Sequence, residues 1–490
     1  MSLSSKTIAG IVWNFGEQLL RRGVQVITTL LLAYFLTPAD YGLVAMMAVF
    51  IAIASSIMDS GFKQALVRLP DAKQVDYSTI FYTNIALGII AYLVLFFIAP
   101  FVAKFYSEPQ LTILLRVAGT TVIIQSLNVV QGAIFTRDLN FKIQLKANLP
   151  AAIISAIIAI TLAFLGFGVW ALIAQMLLSA AITVALFWKF SSWRPTAEFS
   201  KHSLKGMYNF GYKLMLSGFL DTIFKNITVV IIGKLFTSAI TGLYYFAINI
   251  RDLITSQLVG AIQSVTYPAL SQLQNDNVRL KEGYRKIIIL TTFVVFPVFA
   301  ALAVLAEPFF DAFLPQHWSG AVGYLQYLCV GGMLFPLHAI NLNILLVKGR
   351  SDLFFYLEIV KKVTSLIILF VSVRYGIYGI LIGQIINSIL AYLPNSFFTV
   401  KLINYSLFEQ FRDFIPNMVV SFASAIVIYL LMQKVAWASA VTVIVFGIVF
   451  VIIYLLVAYL FKFSALNYAY EIIEPKIKKL KIKKHKTELL

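Results

Sequence analysis

The feature that most constrains this chain is a succession of apolar stretches, each close to the ~20 residues that a helix needs to cross a ~30 Å hydrocarbon core. Hydrophobic residues make up 60% of the 490 residues and charged residues only 12%, and the mean hydropathy is +0.88. These values exclude a soluble globular protein. The sequence therefore predicts an all-α polytopic membrane protein with about 14 transmembrane helices, near 8–36, 42–62, 77–100, 110–135, 143–165, 168–188, 207–235, 240–267, 286–306, 321–347, 353–373, 377–400, 415–433 and 438–461.

The sequence lacks the motifs of the main enzyme classes that act at membranes. It contains no Walker A pattern, no Asp-x-Asp metal site and no His-Glu-x-x-His motif. The loops between the predicted spans are too short to hold a catalytic domain. The single cysteine, Cys329, excludes an intrachain disulfide and a cysteine-based metal cluster. We therefore expect no catalytic residues, no metal site and no cofactor.

The distribution of lysine and arginine predicts the orientation in the membrane. With the N-terminus in the cytoplasm, 27 of the 39 Lys and Arg residues fall in inside loops and tails, and four fall in outside loops. This bias follows the positive-inside rule, so both termini are predicted to be cytoplasmic. The same bias accounts for most of the net charge of +18, so the charge does not indicate a nucleic-acid partner. No cleavage site follows the first apolar stretch, and we expect it to be retained as a signal-anchor.

The C-terminal tail is strongly basic. Seven lysines lie within Lys476–Lys486. Each cation near an anionic membrane surface contributes about 1 kcal/mol of binding, which favours anchoring to anionic lipid over the alternative of a partner-binding helix.

Two predicted spans carry polar and charged residues along one helical face. The residues of the first stripe are Asn14, Glu17, Gln18, Arg21, Gln25 and Thr28, and those of the second are Lys213, Ser217, Asp221, Lys225 and Thr228. Spacings of three and four place each set on one side of a helix. Because a charge at mid-bilayer costs roughly 2.5–3.5 kcal/mol, each stripe is expected to face a water-filled cavity or a partner.

The predicted spans contain more cations than acids. Apart from Lys146, Lys234 and Lys286, which lie near span ends and are counted with the loops, the cations are Arg21, Arg22, Arg116, Lys213, Lys225, Arg251, Lys361 and Lys362, and the acids are Glu17, Asp59, Asp221, Asp252 and Glu358. We predict that the eight cations line a site for an anionic substrate, since arginine donates bidentate bonds to phosphate and lysine acts as a point charge. In this interpretation the acids either reduce the positive electrostatic potential of the site or bind a coupling cation; they are Glu17, Asp221 and Asp252.

A structural interpretation of these charges stays open. Glu17 with Arg21, and Glu358 with Lys361 or Lys362, have the spacing of ion pairs within one helix. Long cationic side chains can also extend toward the membrane surface. Such local pairing does not absorb the surplus of cations.

The chain repeats itself. Leu36–Leu43 matches Phe236–Leu243, Arg137–Phe141 matches Arg350–Phe354, and Gly168–Ala171 matches Gly376–Gly379, in the same order and at offsets of 200, 213 and 208. This order predicts two parallel six-helix repeats, with substrate sites at their interface. The predicted domains are an N-lobe at 1–190, a cytoplasmic loop at 191–206, a C-lobe at 207–402, two extra C-terminal helices at 403–461 and a basic cytoplasmic tail at 462–490.

The same motifs carry a family resemblance. They are Leu36–Val44, Gly61–Val67, Gly166–Leu172 and Ile232–Phe236 followed by Gly242–Tyr244. Together they resemble the polysaccharide-exporter branch of the multidrug/oligosaccharidyl-lipid/polysaccharide (MOP) superfamily. The chain is similar to Wzx-type flippases of the colanic-acid and teichuronic-acid exporter kind over about 8–460.

The resemblance implies the MOP flippase fold, with two six-helix lobes around a V-shaped cavity and two additional helices. It also implies alternating access of an undecaprenyl-pyrophosphate-linked oligosaccharide, such as a repeat unit of O-antigen, capsule or exopolysaccharide, across the bacterial cytoplasmic (inner) membrane. The implied partners are this substrate and the polymerase and glycosyltransferases of the same pathway. The alternative function is a cation-coupled multidrug exporter of the same superfamily, for which an apolar and acidic cavity is expected.

Overall fold

The computed structural model describes residues 3–59, 61–69, 71–435, 437–468 and 470–471. The basic segment Lys476–Lys486 lies outside these residues. The described part is helical and contains no strand. Its helices are α1 (Leu3–Phe35), α2 (Pro38–Asp59), α3 (Phe62–Arg68), α4 (Gln74–Tyr106), α5 (Leu111–Ser126), α6 (Val129–Arg137), α7 (Phe141–Phe164), α8 (Val169–Phe190), α9 (Lys201–Leu235), α10 (Ser238–Ser271), α11 (Asn277–Val304), α12 (Ala306–Phe313), α13 (Gly320–Gly332), α14 (Phe335–Val347), α15 (Ser351–Ser372), α16 (Gly376–Ile403), α17 (Leu407–Met432) and α18 (Ser439–Leu460).

The all-α membrane fold predicted from the sequence is confirmed. A helix lies at each of the fourteen predicted spans. Within the described residues, 10 helical segments are long and apolar enough to cross a membrane, or 11 if one bent pair forms a single span. One of the segments, Ser351–Ile403, is 53 residues long and contains two predicted spans. The count of fourteen stays a prediction.

The span predicted at 110–135 is broken in the structure. Helices α5 and α6 meet at an angle of 45°. At the end of α5, the hydroxyl of Ser126 donates to the Ile123 carbonyl oxygen over 2.7 Å. Such side-chain bonds to the preceding turn bend helices. The apolar pattern used for the prediction does not reveal this bond.

The chain forms two compact units, Met1–Phe246 and Ala247–Leu490. In the first unit, α1 packs along α7, and α9 packs along α2. These packings hold the two charged stripes predicted from the sequence. In the second unit, α11 packs along α17, and α13 and α15 pack on α16. The lobe boundaries predicted from the repeats stay a prediction.

Two ion pairs fasten α17 to α11 in the second unit. The Lys281 ammonium lies 2.9 Å from a carboxylate oxygen of Glu409, and one helical turn later the Arg285 guanidinium makes two bonds of 2.6 Å to Asp413. The Tyr405 hydroxyl donates to the same Asp413 carboxylate over 2.6 Å. Asp413 is 4% exposed, so these three donors satisfy a buried charge. They attach the first of the two additional C-terminal helices to the unit.

Candidate functional site

The first charged stripe is held by a contact between α1 and α7. Glu17 Oε1 accepts hydrogen bonds from Arg21 Nε over 3.2 Å and from Asn148 Nδ2 over 3.0 Å. The Glu17 side chain is 9% exposed and the Arg21 side chain is 44% exposed. A buried carboxylate is stable when it is paired and hydrogen-bonded. The predicted pair of Glu17 and Arg21 is therefore confirmed, and Asn148 is a third member.

Arg21 retains donors that Glu17 does not use. A guanidinium carries five N–H donors in a rigid plane, and Glu17 engages only the one on Nε. Among the described residues, no side chain bonds the two terminal nitrogens of Arg21. Arg22 follows it on α1 and is half-buried. Two adjacent cations thus lie beside one buried acid.

The second charged stripe lies on the least buried of the ten helical segments in the described chain that are long and apolar enough to cross a membrane. In the apolar window of Gly211–Leu235, 11% of the residues are buried, compared with 61% for Pro38–Arg68. Lys213 and Lys225 are exposed, whereas Asp221 is half-buried. Within the described residues, neither lysine forms an ion pair.

An aromatic pair accompanies this stripe at the start of α9. The rings of Tyr208 and Tyr212 stack with centroids 5.6 Å apart. The Lys213 ammonium lies 6.0 Å from the Tyr212 ring centroid, at the outer limit of a cation–π contact.

Arg251 is buried in the second unit, with 7% of its surface exposed. Its Nε and Nη2 atoms donate to one carboxylate oxygen of Asp252 over 2.9 and 2.6 Å. The guanidinium carbon lies 5.2 Å from the ring centroid of Phe335. Asp252 is 54% exposed, so the pair presents its acid, and not its cation, to the surroundings.

The remaining predicted cations have separate environments. Lys361 pairs with Glu358 one turn earlier on α15, as the spacing predicted, and Lys362 is half-buried. Arg116 lies on α5, with its guanidinium 4.1 Å from the Phe96 ring centroid and its Nε donating to the Phe96 carbonyl over 3.2 Å. Within the first unit, Arg116 has no described contact with the stripes on α1 or α9. Within the predicted set, the described ion pairs are local: Glu17–Arg21, Arg251–Asp252 and Glu358–Lys361.

Asn148 is a site residue that the sequence patterns did not indicate. An amide within the predicted span 143–165 is a signal for an interhelical hydrogen bond, because polar side chains in membranes bond across helices. The sequence does not identify Glu17 as its partner, since the two residues are 131 positions apart.

A second polar contact between helices involves His338, whose ring lies between Ser388 and Asn395 of α16. The ring nitrogens are 3.4 Å from Ser388 Oγ and 3.1 Å from Asn395 Nδ2. The contact provides polar partners on α16 for both nitrogens of the ring.

The sequence matches a family model described as "Polysaccharide biosynthesis protein" over residues 31–323. It is 24% identical over 444 residues to the lipopolysaccharide biosynthesis protein WzxC of Escherichia coli (strain K12), covering 87% of this chain and 89% of that protein. It is 23% identical over 432 residues to the teichuronic acid biosynthesis protein TuaB of Bacillus subtilis (strain 168), with the same shares of 87% and 89%. The resemblance inferred from the motifs is confirmed.

Solved structures show the same fold. The lipid II flippase MurJ in an inward closed conformation matches with a TM-score of 0.70 and 15% identity, covering 95% of this chain and 100% of that chain. An inward-facing multidrug resistance MATE family transporter of the MOP superfamily matches with a TM-score of 0.58 and 17% identity, covering 79% and 99%. Because the family model matches more than half of the sequence, this chain belongs to the polysaccharide biosynthesis protein family and is a multi-pass membrane protein of the MOP fold.

Proposed function

We propose that this protein is a flippase that moves an undecaprenyl-pyrophosphate-linked oligosaccharide across the cytoplasmic membrane by alternating access through a cationic cavity. The observation that carries the proposal is the state of Arg21. This arginine lies on a helix of a membrane protein and is held at Nε by a buried acid. Its side chain is half-exposed, and no side chain among the described residues binds its terminal nitrogens. That arrangement suits a pyrophosphate.

The lysines of α9 support the same function. Lys213 and Lys225 are exposed, and within the described residues neither ammonium group forms an ion pair. Lysine placed in this way acts as a compact positive charge that attracts an anion without fixing its orientation. A headgroup that must also leave again is better served by several moderate contacts than by one deep site.

The alternative, a cation-coupled multidrug exporter, receives less support. Similarity to the MATE family transporter is at 17% identity and concerns the fold alone. The surplus of cations over acids in the predicted spans favours an anionic substrate over a cationic drug. The relatives WzxC and TuaB carry names from polysaccharide biosynthesis.

Orientation and partners belong to the same proposal. The excess of lysine and arginine in the predicted inside loops supports cytoplasmic termini. The basic tail is proposed to bind anionic lipid. The polymerase and glycosyltransferases that extend and make the substrate are the proposed pathway partners.

The test is export by Arg21 variants in cells that lack the wild-type protein. Arg21→Lys should retain part of the export, whereas Arg21→Gln and Arg21→Ala should lose most of it at unchanged protein level in the membrane. Lipid-linked oligosaccharide should then accumulate on the cytoplasmic leaflet, where an external glycosidase cannot reach it. Full export by the double variant Glu17→Gln, Arg21→Gln would reduce Arg21 to a structural ion-pair partner and contradict the proposal.

A further inference from the structure

We infer that Asn148 is a positioning residue for the substrate-binding arginine: through Glu17, it determines which edge of the Arg21 guanidinium is presented to an anion. The inference rests on the proposed function. Its structural basis is one shared acceptor, because Asn148 Nδ2 and Arg21 Nε both donate to Glu17 Oε1, over 3.0 and 3.2 Å.

The pair with Glu17 limits which N–H donors of Arg21 can bind an anion. A guanidinium can bind an anion through the edge formed by Nε and one terminal nitrogen, or through the edge formed by its two terminal nitrogens. Glu17 occupies Nε, so the second edge is left for the ligand. Two parallel N–H groups match two oxygens of a phosphate. The pair with Glu17 therefore selects an end-on approach of the pyrophosphate.

Asn148 holds the Glu17 carboxylate from a second helix. An ion pair at positions i and i+4 stabilises an exposed helix only weakly, and both of its members move together with α1. Asn148 belongs to α7, which packs along α1. Its bond fixes the Glu17 carboxylate with respect to a second helix. Because Arg21 is bonded to Glu17, its orientation is also fixed relative to both helices.

Asn148 carries no charge, and this matters for the pair of Glu17 and Arg21. A neutral amide donates a hydrogen bond without cancelling the carboxylate, so Glu17 keeps its attraction for Arg21. A cation at position 148 would compete with Arg21 for Glu17, and an acid there would repel Glu17. An asparagine orients the pair and leaves its net charge at zero.

The experiment measures binding of farnesyl pyrophosphate to the purified full-length chain in detergent by isothermal titration calorimetry. Asn148→Leu keeps a side chain of similar size and removes the donor. We expect a three- to tenfold rise in Kd. The matched control is Gln144→Leu, which removes another amide from α7. Gln144 bonds Thr136 over 3.4 Å instead of Glu17, so the Kd of its variant should equal that of the wild type.

A double-mutant cycle separates positioning from general stability. If Asn148 acts through Arg21, Asn148→Leu should have no further effect in the Arg21→Gln background, where Kd is already raised. An equal rise in both backgrounds would overturn the inference. Asn148→His, which retains a donor, should recover part of the affinity. Should Asn148→Leu fail to reach the membrane, Asn148→Ala, which also removes the donor, is measured in the same cycle with the same expected results.

The outcomes distinguish this inference from the proposed function. If the wild-type chain does not bind farnesyl pyrophosphate, the pyrophosphate site itself is contradicted. Both the proposed function and this inference are then rejected. Binding that Arg21→Gln weakens, with Asn148→Leu matching the Gln144→Leu control, overturns the role of Asn148 and leaves the proposed function standing.

Discussion

Gly42 packs against the backbone of Ser238 so closely that a Cβ atom on Gly42 would lie 1.8 Å from the Ser238 carbonyl oxygen. The contact is reciprocal, because a Cβ atom on Gly242 would lie 1.7 Å from the carbonyl oxygen of Pro38. These residues correspond in the predicted repeat at an offset of 200. A reciprocal contact is the pattern expected of two copies of one motif related by a two-fold axis. The first turns of α2 and α10 therefore meet backbone to backbone in the first unit.

The first prediction concerns these glycines. Gly42→Ala and Gly242→Ala should each destabilise the protein by more than the roughly 1–3 kcal/mol typical of overpacking, because the new methyl group meets backbone atoms that cannot rotate away. Thermal unfolding in detergent and the amount of protein in the membrane measure the effect. Gly206→Ala is the control, since nothing lies within 4 Å of its Cβ position. Equal behaviour of Gly42→Ala and the control would contradict the close contact.

The second prediction concerns the attachment of α17 to α11. Asp413→Asn should cost about 1.5–3 kcal/mol, the range for hydrogen bonds to charged groups, because it removes the charge that Arg285 and Tyr405 bind. Thermal unfolding of single and double variants measures the coupling between Arg285 and Asp413. Asp352→Asn is the control, since Asp352 forms an ion pair with Arg350 in which both side chains are exposed. Additive effects of Arg285→Ala and Asp413→Asn would show that the two residues do not act as a pair.

The third prediction concerns the exposed lysines of α9. Lys213→Ala and Lys225→Ala should each lower the apparent affinity for the lipid-linked substrate about tenfold, which corresponds to about 1.4 kcal/mol. The charge-conserving variants Lys213→Arg and Lys225→Arg should retain most of the transport. Export at varied substrate supply measures the change. Lys205→Ala, at the exposed start of the same helix, should transport like the wild type, and an equal loss there would indicate a general effect of charge.

The fourth prediction concerns topology. A reporter that is active only in the cytoplasm should be active when it is fused after Lys205 or Leu490. A reporter that is active only outside the cytoplasm should be active when it is inserted within 307–319. The physical reason is the retention of lysine and arginine on the cytoplasmic side during insertion. Alkaline phosphatase and green fluorescent protein fusions provide the paired measurement. Phosphatase activity of a fusion at Leu490 would show that the C-terminus lies outside the cytoplasm. That result would contradict both the predicted orientation and the even number of spans.

The sequence by itself determined the class of the protein and the contacts within single helices. Apolar stretches of membrane length predict helices, and a helix lies at every predicted span. The ion pairs Glu17–Arg21 and Glu358–Lys361 follow from spacings of four and three, because such residues are neighbours on one helical face. The motifs also indicated the family.

Only the tertiary structure decided which helices share their polar groups. Asn148 reaches Glu17 across 131 positions, and Asp413 reaches Arg285 across 128. Spacing along the chain specifies the face of a helix on which a side chain lies, but not the helix that packs against that face. The same limit applies to Gly42 and Gly242, whose alignment in the repeat predicts equivalence, whereas their close approach to opposite backbones is set by how α2 and α10 pack.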